Sequence, residues 1–156
     1  MKLKALIKYE IYLFITALVD ASCDNTYDEN SKTIHTPNYP SWYPNYKHCT
    51  WNVGAQKGSK ISVERFSYDL ETSRDCHADK LIIYDGSSQY SKRVAYLCGN
   101  DTFSGMTSTS NHLLFVFDSD EKSINKGFQF TFSIVGMNID LSYKLRPDLR
   151  ILREEK

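Results

Sequence analysis

Apolar and polar residues alternate along much of this chain, and the alternation is interrupted every few positions by turn residues. Leu113, Phe115 and Phe117 recur at every second position, and Phe128, Phe130 and Phe132 do the same after Gly127. Successive side chains of a strand point to opposite faces, so each trio lines one face, and the two strands can present aromatic faces to one core. Cys49-Thr50-Trp51-Asn52-Val53 alternates in the same way and places Trp51 in that core, with Gly54 to Gly58 as the turn that follows. Lys60 to Val63, Leu81-Ile82-Ile83-Tyr84 ended by Asp85-Gly86, and Arg93 to Leu97 are further short strands. From Cys23 to Tyr46, the runs Thr36-Pro37-Asn38-Tyr39-Pro40 and Tyr43-Pro44-Asn45-Tyr46 predict extended pieces broken by proline-directed turns.

No helical period is sustained before residue 136, and many short strands joined by turns predict an all-β sandwich or barrel. Residues 136–156 differ. They are charged, with Leu141, Leu145, Leu149 and Leu152 spaced along them and Pro147 placed to interrupt a helix, and they read as a C-terminal tail, linker or short docking segment.

Composition supports this reading. Eleven tyrosines and eight phenylalanines suit half-buried pleated surfaces. A chain of 156 residues is the size of one domain with one core. Lys plus Arg and Asp plus Glu both total 19, so no global field attracts nucleic acid or an anionic membrane, and any recognition through charge must be local.

Lys2, Lys4 and Lys8 precede the uncharged run Ile11 to Val19, and Ala21 and Ser22 follow it. This order predicts a secretory signal peptide over residues 1–22, cleaved near Ala21 or Ser22, and hence a secreted, extracellular protein. The run is too short to span a bilayer, so no membrane span is expected. Cys23, Cys49, Cys76 and Cys98 all lie beyond the cleavage point, and an even count in a secreted chain predicts two disulfides in any of three connectivities. Sequential pairing would close two loops of about 25 residues, each worth roughly 3 kcal/mol on the chain-entropy estimate. A structural zinc site is disfavoured because no two cysteines stand two to four residues apart.

Cys23, Thr36-Pro37-Asn38-Tyr39-Pro40, Tyr43-Pro44-Asn45 and Cys49-Thr50-Trp51, in that order, resemble the opening of a CUB domain. Tyr68-Asp69-Leu70-Glu71 is similar to the family's Phe-Asp-Leu-Glu segment, and Cys76-His77-Ala78-Asp79 through Asp85-Gly86 keeps its Cys, Asp, Leu, Ile and Asp-Gly positions. Leu97-Cys98-Gly99, Ser110 to Asp120 and Gly127-Phe128 follow in place, so that the resemblance covers residues 23–135. It implies a jelly-roll-like sandwich of two antiparallel sheets, as in CUB and spermadhesin-like proteins, with Cys23 paired to Cys49 and Cys76 to Cys98. The chain departs from the family pattern at Arg65, where an aromatic is usual and Phe66 follows, and at Ala78, where Tyr is common.

Many CUB domains bind calcium at one end of the sandwich, and the resemblance assigns the ligands to Glu71, Asp79 and Asp120, with Tyr43 orienting them. Calcium takes six to eight oxygen ligands, and three converging carboxylates repel one another unless a cation neutralises them. The family draws further oxygens from the loop after Asp120, which here offers the carbonyl of Lys122 and then Ser123. The Lys122 ammonium stands either to weaken such a site or to replace the metal through a salt bridge. In the family the site commonly receives a Lys or Arg from a partner protein.

Smaller signals accompany these. Asn100-Asp101-Thr102 is an N-glycosylation acceptor in an expected loop, with Asn100 as its target. His35, His48, His77 and His112 lack metal-binding spacing and read as exposed or strand-edge residues. Tyr39, Tyr43 and Tyr46 fill the end of the sandwich or, alternatively, form a patch for sugar or partner. There is no His-Glu-x-x-His and no Gly-x-Ser-x-Gly, so the chain reads as noncatalytic. The leading expectation is a secreted module for protein-protein recognition, dependent on calcium. The alternatives are a regulatory CUB unit of a secreted protease or its accessory protein, and a carbohydrate-binding, lectin-like module.

Overall fold

A computed structural model describes residues 15–19, 23, 26–28 and 30–136. The expected tail, apart from Gly136, and most of the expected signal peptide lie outside the described residues.

Among the described residues, twelve strands form two antiparallel sheets. They are β1 (Ile15–Val19), β2 (Tyr27–Asp28), β3 (Thr33–His35), β4 (His48–Ala55), β5 (Lys60–Val63), β6 (Phe66–Asp69), β7 (Lys80–Asp85), β8 (Lys92–Leu97), β9 (Asn100–Phe103), β10 (Met106–Thr107), β11 (His112–Asp118) and β12 (Gly127–Val135). One sheet has the order β1-β4-β11-β7-β8. The other runs β10-β5-β12-β3-β2, with β6 paired to β12 and to β9.

The two phenylalanine trios meet where the sheets face each other. Phe115 of β11 lies 5.0 Å from Phe130 of β12, ring centre to ring centre, and Phe117 lies 5.7 Å from Phe128 in an edge-on contact. Trp51, fully buried, sets its ring edge-on to Phe128 at 6.2 Å and satisfies its indole N–H with a 3.1 Å bond to Thr26 Oγ1. Such offset and edge-on pairs add to the burial of the rings themselves. Cys23–Cys49 and Cys76–Cys98 are both formed.

Several elements differ from the sequence reading. β4 continues through Gly54 to Ala55, so the turn is confined to the residues between Ala55 and Lys60. Leu114 and Val116 are buried as well as the Phe115 face, because β11 lies inside its sheet with β4 and β7 on either side. Asn100, read as a loop residue, begins β9 and stays exposed at its pairing with Asp69 of β6. Arg65 is exposed just before β6, and Phe66, Tyr68 and Leu70 turn inward in its place. β1 lies within the stretch read as a signal peptide and pairs in unbroken antiparallel register along one edge of β4, from Ile15 opposite Ala55 to Val19 opposite Trp51.

Candidate metal centre

At one end of the sandwich three loops converge. The strand-to-loop exit after β6 carries Glu71, the loop closed by Cys76–Cys98 carries Asp79 just before β7, and the exit from β11 carries Asp120. One carboxylate oxygen from each lies within 4.8 Å of the others. Asp79 is fully buried, and Glu71 and Asp120 are half-buried.

Tyr43 organises the group from beneath. Its ring is fully buried and meets Phe117 edge-on at 5.2 Å, so the core fixes its direction. Its phenol donates to Asp79 Oδ2 at 2.7 Å and accepts the Glu71 backbone N–H at 3.1 Å. Burial, followed by the bond to Asp79 and the nearby Asp79 charge, pushes the phenol well above its usual value, which keeps it a proton donor. The Asp120 amide donates to Asp79 Oδ1 at 2.7 Å, and the Lys122 amide donates to Asp120 Oδ1 at 2.8 Å.

Asn125 was not singled out by sequence reasoning. Its carbonyl accepts the Tyr43 amide at 3.0 Å, while its side-chain amide donates to Asp69 Oδ1 at 2.9 Å and to the Leu70 carbonyl at 3.1 Å. It therefore ties the loop after Asp120 to the loop carrying Tyr43 and to the segment leading into Glu71. An asparagine in a polar loop carries no sequence signal of that role.

The donor set suits a hard cation. Glu71 Oε2 is buried and has no hydrogen-bond partner among the described residues. A buried carboxylate oxygen left unmatched is costly, and three carboxylates this close are mutually repulsive. No salt bridge among the described residues reaches Glu71, Asp79 or Asp120, so the Lys122 ammonium does not take the cation's place. Lys122 and Ser123 are both exposed on the loop after Asp120.

The remaining candidates separate from this group. Among the described residues, no histidine belongs to a group of three or more potential metal ligands, and Glu71, Asp79 and Asp120 make the one such group. The three tyrosines divide, with Tyr43 in the core, Tyr39 half-buried and Tyr46 exposed. Asn100 shares a shallow groove with Tyr39, Asp69 and Lys126.

A CUB domain family model matches residues 23–132. The chain belongs to the CUB family. Tolloid-like protein 1 of Homo sapiens is 33% identical over 114 residues, which are 73% of this chain and 11% of that protein. Neuropilin-1 of Rattus norvegicus is 30% identical over 144 residues, 88% of this chain and 15% of that protein. The CUB chain thus spans only a small part of these relatives' length. The crystal structure of the MASP-1 CUB2 domain bound to Ca2+ is 25% identical, with a TM-score of 0.57 and coverage of 64% of this chain and 88% of that one. The full extracellular region of zebrafish Gpr126/Adgrg6 is 26% identical, with a TM-score of 0.60 over 74% of this chain and 15% of that one. CUB domains are noncatalytic binding modules of extracellular proteins. Among the described residues, no helix is long and apolar enough to cross a membrane.

Proposed function

We propose that this CUB chain is a secreted, noncatalytic recognition module that holds calcium between Glu71, Asp79 and Asp120 and uses that end of the sandwich to bind an extracellular protein presenting a lysine or arginine. The carrying observation is the convergence of three carboxylates within 4.8 Å around a buried Glu71 oxygen that has no hydrogen-bond partner among the described residues. Calcium would draw on these three residues, with the Lys122 carbonyl and Ser123 as further oxygen donors and Tyr43 setting the direction of Asp79. Extracellular calcium concentrations suffice to fill even weak sites of extracellular modules. The relative whose solved structure holds Ca2+ supports the same reading.

Thermal unfolding of the oxidised protein in millimolar calcium and in chelator tests it. A ligand that binds only the native state stabilises by RT ln(1 + [L]/Kd), about 1.8 kcal/mol when calcium is twentyfold above Kd. A calcium-dependent rise in Tm that Asp120→Ala abolishes is the expected result. Superimposable melts in wild-type protein discard the site.

Residues 1–22 as a removed signal peptide and Asn100 as a glycosylated residue belong to the same proposal. Removal of the leader would take β1 away and open the edge of β4. Intact mass of the secreted protein, before and after glycosidase treatment, reads both: a start near Cys23 and a mass loss on deglycosylation are expected, and a retained Ile15 or an unchanged mass rejects the corresponding part.

The chain's small share of its long relatives keeps a unit of a larger extracellular protein, including a protease accessory, as the second reading. Transcript length separates the two. The lectin-like alternative is less well supported, since burial of Tyr43 removes one ring of the aromatic patch on which it rested.

A further inference from the structure

Beside the acidic cluster stands a residue whose backbone and side chain are both unfavourable for its type. Tyr46 has φ 58°, in the left-handed region that bulky side chains rarely adopt, and the residue is 74% exposed. Core packing therefore does little to offset the conformation. The conformation is nevertheless held by hydrogen bonds that all reach Asp120 and Glu121 on the loop after β11. The Tyr46 amide donates to the Asp120 carbonyl at 2.9 Å, its phenol donates to Glu121 Oε2 at 3.2 Å, and the side chain of Asn45 donates to the Glu121 carbonyl at 2.9 Å. Backbone held in a sparsely populated region by its surroundings is concentrated at binding and switch sites. Trp42, on the same loop, is 60% exposed.

Glu121 is not among the three converging carboxylates. A divalent cation held by those three would leave the Glu121 charge available, and the Tyr46 phenol keeps that carboxylate at the edge of an open ring. No salt bridge among the described residues occupies Glu121, although Lys47 and Lys122 are close in sequence to the pair. An aromatic face beside a fixed carboxylate complements a planar cation. A guanidinium stacks on the ring and donates two N–H bonds to one carboxylate, whereas an ammonium is a strongly hydrated point charge that gains less from the ring.

We infer that Tyr46 and Glu121 form an arginine-selective contact on the partner-binding surface, so that the partner is an extracellular protein segment presenting arginine in preference to lysine. This rests on the recognition reading above but concerns residues outside the calcium set.

The test follows backbone amide NMR shifts of the secreted, oxidised protein in millimolar calcium during titration with acetyl-Gly-Arg-Gly-amide and acetyl-Gly-Lys-Gly-amide. The arginine peptide is expected to bind about two- to fivefold more tightly, with the largest shifts at Tyr46 and Glu121. Tyr46→Asn, which suits a left-handed backbone, should retain the wild-type Tm or exceed it while losing the preference; Glu121→Gln should weaken arginine binding without changing the calcium-dependent rise in Tm. Equal affinities in wild-type protein, no shifts with either peptide, or a preference that survives Tyr46→Asn would overturn the inference. Repetition in chelator separates the two readings: an arginine preference that persists there upholds this contact while removing calcium from it.

Discussion

The Tyr43 phenol lies 2.7 Å from Asp79 Oδ2, and this bond joins the hydrophobic core to the acidic end of the sandwich. Both partners are fully buried. The packing of Phe117 against the Tyr43 ring thereby fixes where a carboxylate sits.

Tyr43→Phe should therefore cost more than a surface tyrosine would. It keeps the ring but leaves Asp79 Oδ2 and the Glu71 amide without their shared partner, and an unmatched buried polar group costs about 1–3 kcal/mol. Urea unfolding in calcium should show a loss of that size together with a smaller calcium-dependent stabilisation. A change confined to stability, with the calcium response intact, would mean that the bond does not orient the ligands.

Glu71→Gln should have opposite effects in chelator and in calcium. Without a cation it removes one of three mutually repelling charges and should stabilise the protein by on the order of 1 kcal/mol after solvent screening. With calcium it removes a ligand, so the calcium-dependent rise in Tm should fall sharply. Melting curves of wild type and variant, with calcium and with chelator, should cross over in rank. The same rank in both conditions would count against repulsion as the source of the effect.

The Cys76–Cys98 bridge closes the loop that delivers Asp79. Its removal by a double Cys→Ser substitution should lower stability by roughly 3 kcal/mol on the chain-entropy estimate. It should also weaken calcium binding by freeing the Asp79 loop, which isothermal titration at a temperature where the variant remains folded can measure.

Gly127 opens β12 with φ 82°, and a Cβ there would lie 2.8 Å from Thr36 Cβ, a buried residue that bonds the Phe128 amide. Gly127→Ala combines an unsuitable backbone angle with a steric clash and should destabilise by about 2–4 kcal/mol. Gly58→Ala is the comparison: its φ is 92° but nothing lies within 4 Å of the added carbon, so its loss should be smaller in the same urea experiment.

Burial, and secondarily the Asp101 charge, raises the Tyr68 phenol above its ordinary value of 10.0. The native state thus holds this proton more tightly than the unfolded chain does. The associated stability is complete below the unfolded value and is lost as pH rises from about 10 toward the higher native value. Urea midpoints at pH 9 and pH 11 should fall further apart in wild type than in Tyr68→Phe.

Much of the fold was legible because strand alternation is a local consequence of the pleated backbone. The phenylalanine trios of β11 and β12 and the Trp51 face of β4 need no knowledge of their partners to be recognised. β9 escaped notice because its Asn100-Asp101-Thr102 start is polar on both faces, and its strand character comes from pairing with β6. The extent of β4 was obscured by Gly54, which marks a turn in most sequences but here continues the ladder opposite His112.

Glu71, Asp79, Asp120 and Tyr43 could be named from motif order, since each stands at a recognisable place relative to a cysteine or a strand. Their approach to within 4.8 Å, and the hold of Asn125 on the Tyr43 loop and the Asp69-Leu70 segment, depend on loops distant in sequence meeting at one end of two stacked sheets. The left-handed backbone of Tyr46 belongs to the same class. No local preference places an exposed aromatic there; the hydrogen bonds that Tyr46 donates to the opposing loop do. Periodicity and motif order reflect short-range backbone geometry and covalent sequence, whereas convergence of charge and stored backbone strain arise from packing between segments that the linear pattern leaves independent.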